Sequence, residues 1–178
     1  FSKNATTLSG TAGGSGTAFD GIELSGGATG SWTITENQLD GGNVGSTSYG
    51  IHLRSSLPAS ASLNMGYNTV TRWSQGIYSE ALVSGIKVEV HKNRILDNTD
   101  YGIKNGDGAV IDALLNYWGK TSGPYHATNT GGQGNQVSDR VSFKPWHQDA
   151  AFVSLSDGTV VNLDTGQYYH SIQTALNE

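Results

Sequence analysis

The sequence predicts an all-β protein, a parallel β-helix with three short strands in each coil and about four to six coils. Two patterns carry this prediction, and both recur along the chain at intervals of 23 to 31 residues. One is the dipeptide Gly-Ile, and the other is an asparagine flanked by apolar residues at fixed offsets. A period of this length is typical of proteins whose repeats stack on one another.

The dipeptide Gly-Ile predicts one strand of each coil. Four of its occurrences follow one another at intervals of 29, 26 and 26 residues, and their isoleucines are Ile22, Ile51, Ile77 and Ile103. We expect the glycine to give a flexible entry to the strand and the isoleucine to point into the core.

A recurring asparagine predicts a corner between the other two strands. The corner residues are Asn37, Asn68, Asn93 and Asn116. The positions five before, three before and two after each of them are always apolar, and the position four before is always polar. This alternation is that of a β-strand with one face buried. Asparagine suits a corner because it tolerates left-handed backbone angles, and stacked amides can bond to one another.

Two other interpretations of the repeat are open. Chance repetition of Gly-Ile is conceivable in a chain with 25 glycines. An antiparallel sandwich also has short alternating strands at regular spacing. A sandwich does not require an aligned asparagine in every unit, so the pattern favours the β-helix.

The repeat resembles the right-handed parallel β-helix of the pectate-lyase-like superfamily, over about residues 20 to 146. The segments NYWGKTSGP (116–124) and GGQGNQVSDRVSFKPW (131–146) look like the last coil of secreted β-helix proteins. The resemblance implies an architecture rather than an activity. Asn98-Thr99-Asp100 is similar to a polygalacturonase motif, but the partner motifs of that family and the lyase signatures are missing.

The chain divides into a main body and an extension. We predict a β-helix over residues 1–149, in which 1–20 is either a degenerate first coil or a linker. Val141, Phe143, Pro145 and Trp146 are expected to form the final strand and its apolar lid. Residues 150–178 form an extension with a short C-terminal α-helix, because Ile172, Ala175 and Leu176 share one helical face. That helix either caps this β-helix or opens a following one.

Composition excludes several classes of protein. A net charge of -5 with ten Lys and Arg argues against a nucleic-acid partner. No apolar run approaches the roughly 18 residues of a membrane helix, so no membrane insertion is expected. The absence of cysteine excludes disulfides and thiolate chemistry. The Gly-, Ser-, Thr- and Asn-rich composition suits a secreted or cell-surface protein, and the start at Phe1 suggests a longer parent chain with adjoining domains.

The outward residues after Gly-Ile form the first candidate site. They are Glu23, His52, Tyr78 and Lys104, with Arg54 and Glu80 two residues further along. Such a strip can hydrogen-bond sugar hydroxyls and offers Tyr78 as a stacking platform, which makes polysaccharide the candidate partner. The alternative is a solvated face with charge pairs such as Arg54 with Glu80.

The second candidate site contains two carboxylates on neighbouring coils, Glu89 and Asp112, with Arg94 nearby. Carboxylates about 5 Å apart could hold calcium or act as a general acid pair. A surface patch neutralised by neighbouring cations is the alternative. The five histidines lack metal-ligand spacing, so we predict no metal site at them and no other cofactor.

Two functions remain open on the sequence. One is a non-catalytic β-helix module, a rigid spacer or adhesin that contacts polysaccharide. The other is a fragment of a carbohydrate-active enzyme, either a polysaccharide lyase or a glycoside hydrolase. The small number of coils favours the module.

Overall fold

The strands are short and are spread along the whole chain. The computed structural model describes residues 19–25, 30–42 and 47–157, and the backbone alone at 5–7, 160–161 and 168–169. The strands are β1 (Ala5–Thr7), β2 (Phe19–Leu24), β3 (Ser31–Thr35), β4 (Gln38–Asp40), β5 (Ser48–Leu53), β6 (Ser62–Gly66), β7 (Thr69–Thr71), β8 (Gln75–Leu82), β9 (Lys87–His91), β10 (Arg94–Leu96), β11 (Tyr101–Gly108), β12 (Ile111–Asp112), β13 (Val141–Ser142), β14 (Val160–Val161) and β15 (Tyr168–Tyr169).

Three parallel sheets wrap around one core. Their strand orders are β1-β4-β7-β10, β11-β8-β5-β2 and β13-β12-β9-β6-β3. Strands that are neighbours in a sheet come from successive coils, because each coil gives one strand to each sheet. The chain is therefore a parallel β-solenoid of about four turns, which confirms the predicted fold class.

The core contains the apolar residues that the repeat aligns. Ile34, Met65 and Val90 are register partners in successive coils, and each is at most 1% exposed. Of the twelve apolar positions around the four asparagines, only Trp32 is not buried. Burial of these side chains is the main favourable contribution to folding.

The four corner asparagines form a continuous ladder inside the solenoid. The Asn37 amide nitrogen donates to Asn68 Oδ1 at 2.9 Å, and Asn68 donates to Asn93 at the same distance. Asn93 donates to Asn116 at 3.0 Å. The four residues are at most 1% exposed. The ladder satisfies polar groups that would otherwise be buried without partners.

The left-handed residue at each corner is the one before the asparagine. Glu36, Tyr67, Lys92 and Leu115 have φ angles of 55 to 59°, and none of the four asparagines is left-handed. The expectation that asparagine itself takes this conformation is therefore wrong. Asparagine is needed for its amide, which bonds to the next coil, rather than for its backbone angles.

A second ladder, which the sequence argument missed, occupies the corner before the Gly-Ile strand. Asn98 donates through its amide nitrogen to Asn135 Oδ1 at 3.0 Å, and Asn135 donates back to the Asn98 carbonyl at 2.8 Å. Asn98 Oδ1 in turn accepts from the backbone nitrogen of Trp73. The resemblance of Asn98-Thr99-Asp100 to a catalytic motif therefore has a structural explanation.

Strands pair at both ends of the described chain. At the start, β1 pairs in parallel with β4. At the far end, Val141, Phe143 and Trp146 are less than 10% exposed, and β14 pairs antiparallel with β15. The predicted helix with Ile172, Ala175 and Leu176 lies outside the described residues. Within the described ranges, no helix is long and apolar enough to cross a membrane.

Candidate functional site

Outward side chains of the sheet β11-β8-β5-β2 form two parallel files along the solenoid. The first file is the predicted one, Glu23, His52, Tyr78 and Lys104. The second file is Asp20, Tyr49, Gln75 and Tyr101. We define the outer strip as these two files together with Arg54 and Glu80.

Two files share one face because the strands do not alternate strictly. Gly50 and Ile51 are both buried, although they are adjacent in sequence. Tyr49 and His52, which flank them, lie side by side with ring centroids 4.5 Å apart. Strict alternation beyond the isoleucine predicts the file of His52 but not that of Tyr49. A polar or aromatic residue before Gly was the available signal.

Aromatic rings dominate the middle of the outer strip. Tyr49 and Tyr78 are stacked with centroids 4.8 Å apart and ring planes 25° from parallel. The His52 ring lies 5.2 Å from that of Tyr78. Both tyrosines are half-buried, so part of each ring faces solvent.

His52 differs from the prediction because it is buried. Its side chain is only 3% exposed, since the rings of Tyr49 and Tyr78 cover it. Its Nδ1 lies 3.1 Å from Asp20 Oδ1, and its Nε2 lies 3.6 Å from Glu80 Oε1 without a hydrogen bond. Burial raises the pKa of the Asp20 carboxyl, while the His52 ring opposes that rise. The imidazole thus supports the two tyrosines and does not reach solvent.

Arg54 joins two carboxylates of the outer strip. It donates to Glu23 Oε2 from Nε and Nη2, and to Glu80 Oε1 from Nη1 at 2.9 Å. Glu80 also accepts from the backbone nitrogen of Ser55 at 2.9 Å. That backbone bond, with the Arg54 guanidinium, lowers the pKa of Glu80 to about 2. Exposed ion pairs add little stability, so the main effect of this network is to fix three side chains in place.

Lys104 lies at the other end of the aromatic group. Its Nζ is 6.0 Å from the centre of the Tyr78 ring and 5.3 Å from that of Tyr101. Attraction between an ammonium group and an aromatic face holds such a lysine over the rings. The outer strip therefore presents a cation at one end and an arginine–carboxylate network at the other.

Three donors of the outer strip are close enough to hold a metal ion. One ligand atom each from Asp20, Glu23 and His52 lies within 4.8 Å of the others. Imidazole with two carboxylates is a donor set suited to zinc or another transition metal. In this arrangement the His52 Nδ1 already bonds to Asp20 and the Glu23 carboxylate is engaged by Arg54, so a metal ion would have to displace both contacts.

The second candidate site is only partly assembled. Glu89 and Asp112 are register partners in β9 and β12, as their spacing predicts. Asp112 Oδ1 lies 2.9 Å from His91 Nε2, close enough for an ion pair but out of line for a hydrogen bond. Arg94 belongs to a different sheet, where its guanidinium lies over the Phe152 ring and donates to the Ala150 carbonyl. The structure does not bring Arg94 together with the two acids.

Two of the titratable groups in the outer strip are not available as general bases in this arrangement. A general base must reach the proton that it removes. His52 Nε2 is buried, and the Glu80 carboxylate is held by Arg54 and Ser55. The groups that reach solvent include the tyrosine rings, the Arg54 guanidinium and the Glu23 carboxylate. Aromatic and charged groups of this kind are common in binding sites for polar ligands.

No protein family, curated protein or solved structure matches this chain. Its function must therefore be inferred from the arrangement of its own residues.

Proposed function

We propose that the protein is a non-catalytic β-solenoid module of a secreted or cell-surface protein, a rigid spacer or adhesin that binds a glycan along the outer strip. The observation that carries this proposal is the stacked pair Tyr49 and Tyr78, bordered by Lys104 on one side and by Arg54 on the other. The half-buried tyrosine rings offer apolar surface to sugar rings, and charged groups at the border can bond to sugar hydroxyls.

The spacing of the coils suits an extended polymer. Neighbouring parallel strands lie about 4.8 Å apart, which is comparable to the length of one pyranose unit. A glycan chain that runs along the solenoid would place successive sugar rings over successive coils. The two files of the outer strip also run along the solenoid, from one coil to the next.

The outer strip is ordered before any ligand arrives. His52 and Asp20 support the tyrosines from below, while Glu23 and Glu80 hold Arg54 from both sides. Side chains that are already fixed lose little conformational entropy on binding. This arrangement favours recognition of one glycan conformation.

We also propose a more specific fold, a right-handed β-helix. The asparagine ladder and three strands per coil are the features in which the chain resembles right-handed β-helices of the pectate-lyase-like superfamily. Parallel crossover connections are right-handed in nearly all proteins, which favours the same hand here.

Glycan binding can be tested by removing the Tyr78 ring, which we propose to contact the sugar. A glycan array identifies the ligand, and isothermal titration then compares the wild type with Tyr78→Ala. We expect about tenfold weaker binding, the loss that follows removal of a central aromatic contact. Asn64→Ala, which changes an exposed residue of another sheet, is the matched control and should bind as the wild type does. Equal affinity of Tyr78→Ala and wild type would exclude the outer strip as the binding site.

A carbohydrate-active enzyme is the second candidate, and one observation favours it. Glu89 and Asp112 are neighbours across adjacent strands, which brings two carboxylates together on one exposed face. Incubation with uronic-acid polymers and neutral glycans, followed by analysis of the products, separates the two functions. Cleavage that Glu89→Gln abolishes would show an enzyme, whereas binding without cleavage is the result that we expect.

A further inference from the structure

A cleft beside the last coil lies apart from the outer strip. Its volume is about 310 Å³, and it is bordered by the turn at 97–100, by residues 118–120 and 133–136, and by Tyr125. None of its lining residues belongs to the outer strip. Ligand pockets for small molecules begin at about 300 Å³, so the cleft is large enough for one small ligand.

The back wall of the cleft is rigid. Asn98 and Asn135 are linked in both directions by side-chain hydrogen bonds. The backbone nitrogen of Asn135 donates to the Trp118 carbonyl at 3.0 Å, and that of Val137 donates to the Tyr125 carbonyl at 3.0 Å. The cleft is therefore formed without a ligand.

The front of the cleft carries charges without partners. Within the described part of the chain, Asp97, Asp100 and Lys120 form no ion pair and no side-chain hydrogen bond, although all three are exposed. The amide group of Gln133 likewise has no partner there. This differs from the outer strip, where Arg54 and the carboxylates already bind one another.

Two aromatic residues complete the lining. Tyr125 is 47% exposed, so about half of its surface is accessible to a ligand. Trp118 is fully buried, and its indole Nε1 has no hydrogen-bond partner among the described atoms. A buried donor without a partner is costly and is uncommon in folded proteins.

We propose that this cleft is a separate binding site for a single neutral pyranose ring. Tyr125 stacks on the apolar face of the sugar. Asp97 and Asp100 accept hydrogen bonds from its hydroxyls, and Lys120 and Gln133 donate to its oxygens. This site goes beyond the outer strip and does not depend on it.

The charges of the cleft select against an acidic sugar. Two carboxylates face one ammonium, so the lining has a net negative charge, and a uronate or phosphate would meet repulsion. A neutral ring keeps all the hydrogen bonds and avoids that repulsion. The small volume limits the ligand to one or two rings.

The test uses neutral methyl pyranosides of the gluco, galacto and manno series as probes in an NMR titration of the full chain. We expect millimolar binding that shifts the indole Nε1–H signal of Trp118. Tyr125→Ala should weaken binding at least about tenfold, as loss of a main aromatic contact does. Tyr67→Ala, which removes a similarly exposed tyrosine elsewhere, is the matched control and should leave the titration unchanged.

Further variants and probes distinguish this site from the outer strip and from a site for calcium or an acidic sugar. Tyr78→Ala should leave the cleft titration unchanged, so a failure of the outer strip and a failure of the cleft can be told apart. Asp100→Asn should weaken binding of the neutral probe, because a carboxylate is a stronger acceptor than an amide. Tighter binding of glucuronate than of the neutral probes, the same shifts with calcium alone, or an unchanged affinity in Tyr125→Ala would overturn the proposal.

Discussion

At the scale of single residues, His147 shows how tightly the last coil is closed. It is fully buried. The Phe152 ring packs edge-on against it with centroids 5.1 Å apart. Burial lowers the pKa of His147 below its ordinary value of 6.5, with Asp149 and Lys92 as its charged neighbours. The ring is therefore neutral in the folded protein at neutral pH.

This burial predicts a loss of stability in mild acid. Below pH 6.5 the unfolded chain takes up a proton at His147 that the folded protein refuses, so the free energy of unfolding falls as the pH falls. The fall ends at the lower pKa of the folded state. Chemical denaturation of the wild type and of His147→Leu between pH 7.5 and 5 measures the difference. We expect the stability of the variant to depend less on pH, and parallel curves for the two proteins would contradict this account.

At the scale of the structural element, the Gly-Ile strands depend on close approach between coils. A Cβ on Gly50 would lie 2.5 Å from the Gly76 carbonyl oxygen and 2.5 Å from a methyl group of Val70. The φ angle of Gly50 is not positive, so the glycine is required for space and not for flexibility, contrary to the sequence argument. Gly21 and Gly76 meet the next coil in the same way.

A single methyl group at this strand should therefore destabilise the whole solenoid. Gly50→Ala is expected to lower the free energy of unfolding by about 1–3 kcal/mol, the usual cost of overpacking a core. For a chain of this size that corresponds to a fall in Tm of at least about 2 °C, measurable by calorimetry. Gly131→Ala is the control, because a Cβ there meets nothing within 4 Å. Similar melting of both variants would show that the coils are not packed as described.

At the scale of the whole molecule, the repeat in the sequence is sufficient to predict the solenoid architecture. The spacing of the repeat predicts the length of each coil. The alternation around Asn37, Asn68 and Asn93 predicts which residues are buried, because equivalent positions in stacked coils have the same burial. The repeat also gives the file of Glu23, His52 and Tyr78, since those residues stand at one offset from the dipeptide.

The details of the candidate sites could not be predicted from the repeat, because they depend on contacts between side chains at non-equivalent positions. His52 is buried because Tyr49 and Tyr78 cover it, and this requires a break in strand alternation that the positions after Gly-Ile do not reveal. The cleft is formed by turns between residues 97 and 136 that deviate from the repeat. The cleft therefore could not be predicted by aligning equivalent positions of the coils.

All these conclusions rest on coils that superimpose in one register, and cysteine cross-linking tests this most directly because the chain has no native cysteine. Asn64 and Glu89 are exposed register partners in adjacent coils, whereas Thr33 and Glu89 are two coils apart in the same file. Adjacent strands lie about 4.8 Å apart, within disulfide reach, and the second pair is separated by about twice that distance. Under oxidation, Asn64→Cys with Glu89→Cys should form an intramolecular disulfide, and Thr33→Cys with Glu89→Cys should not. Cross-linking of the second pair in preference to the first would contradict the stacked solenoid and, with it, the outer strip.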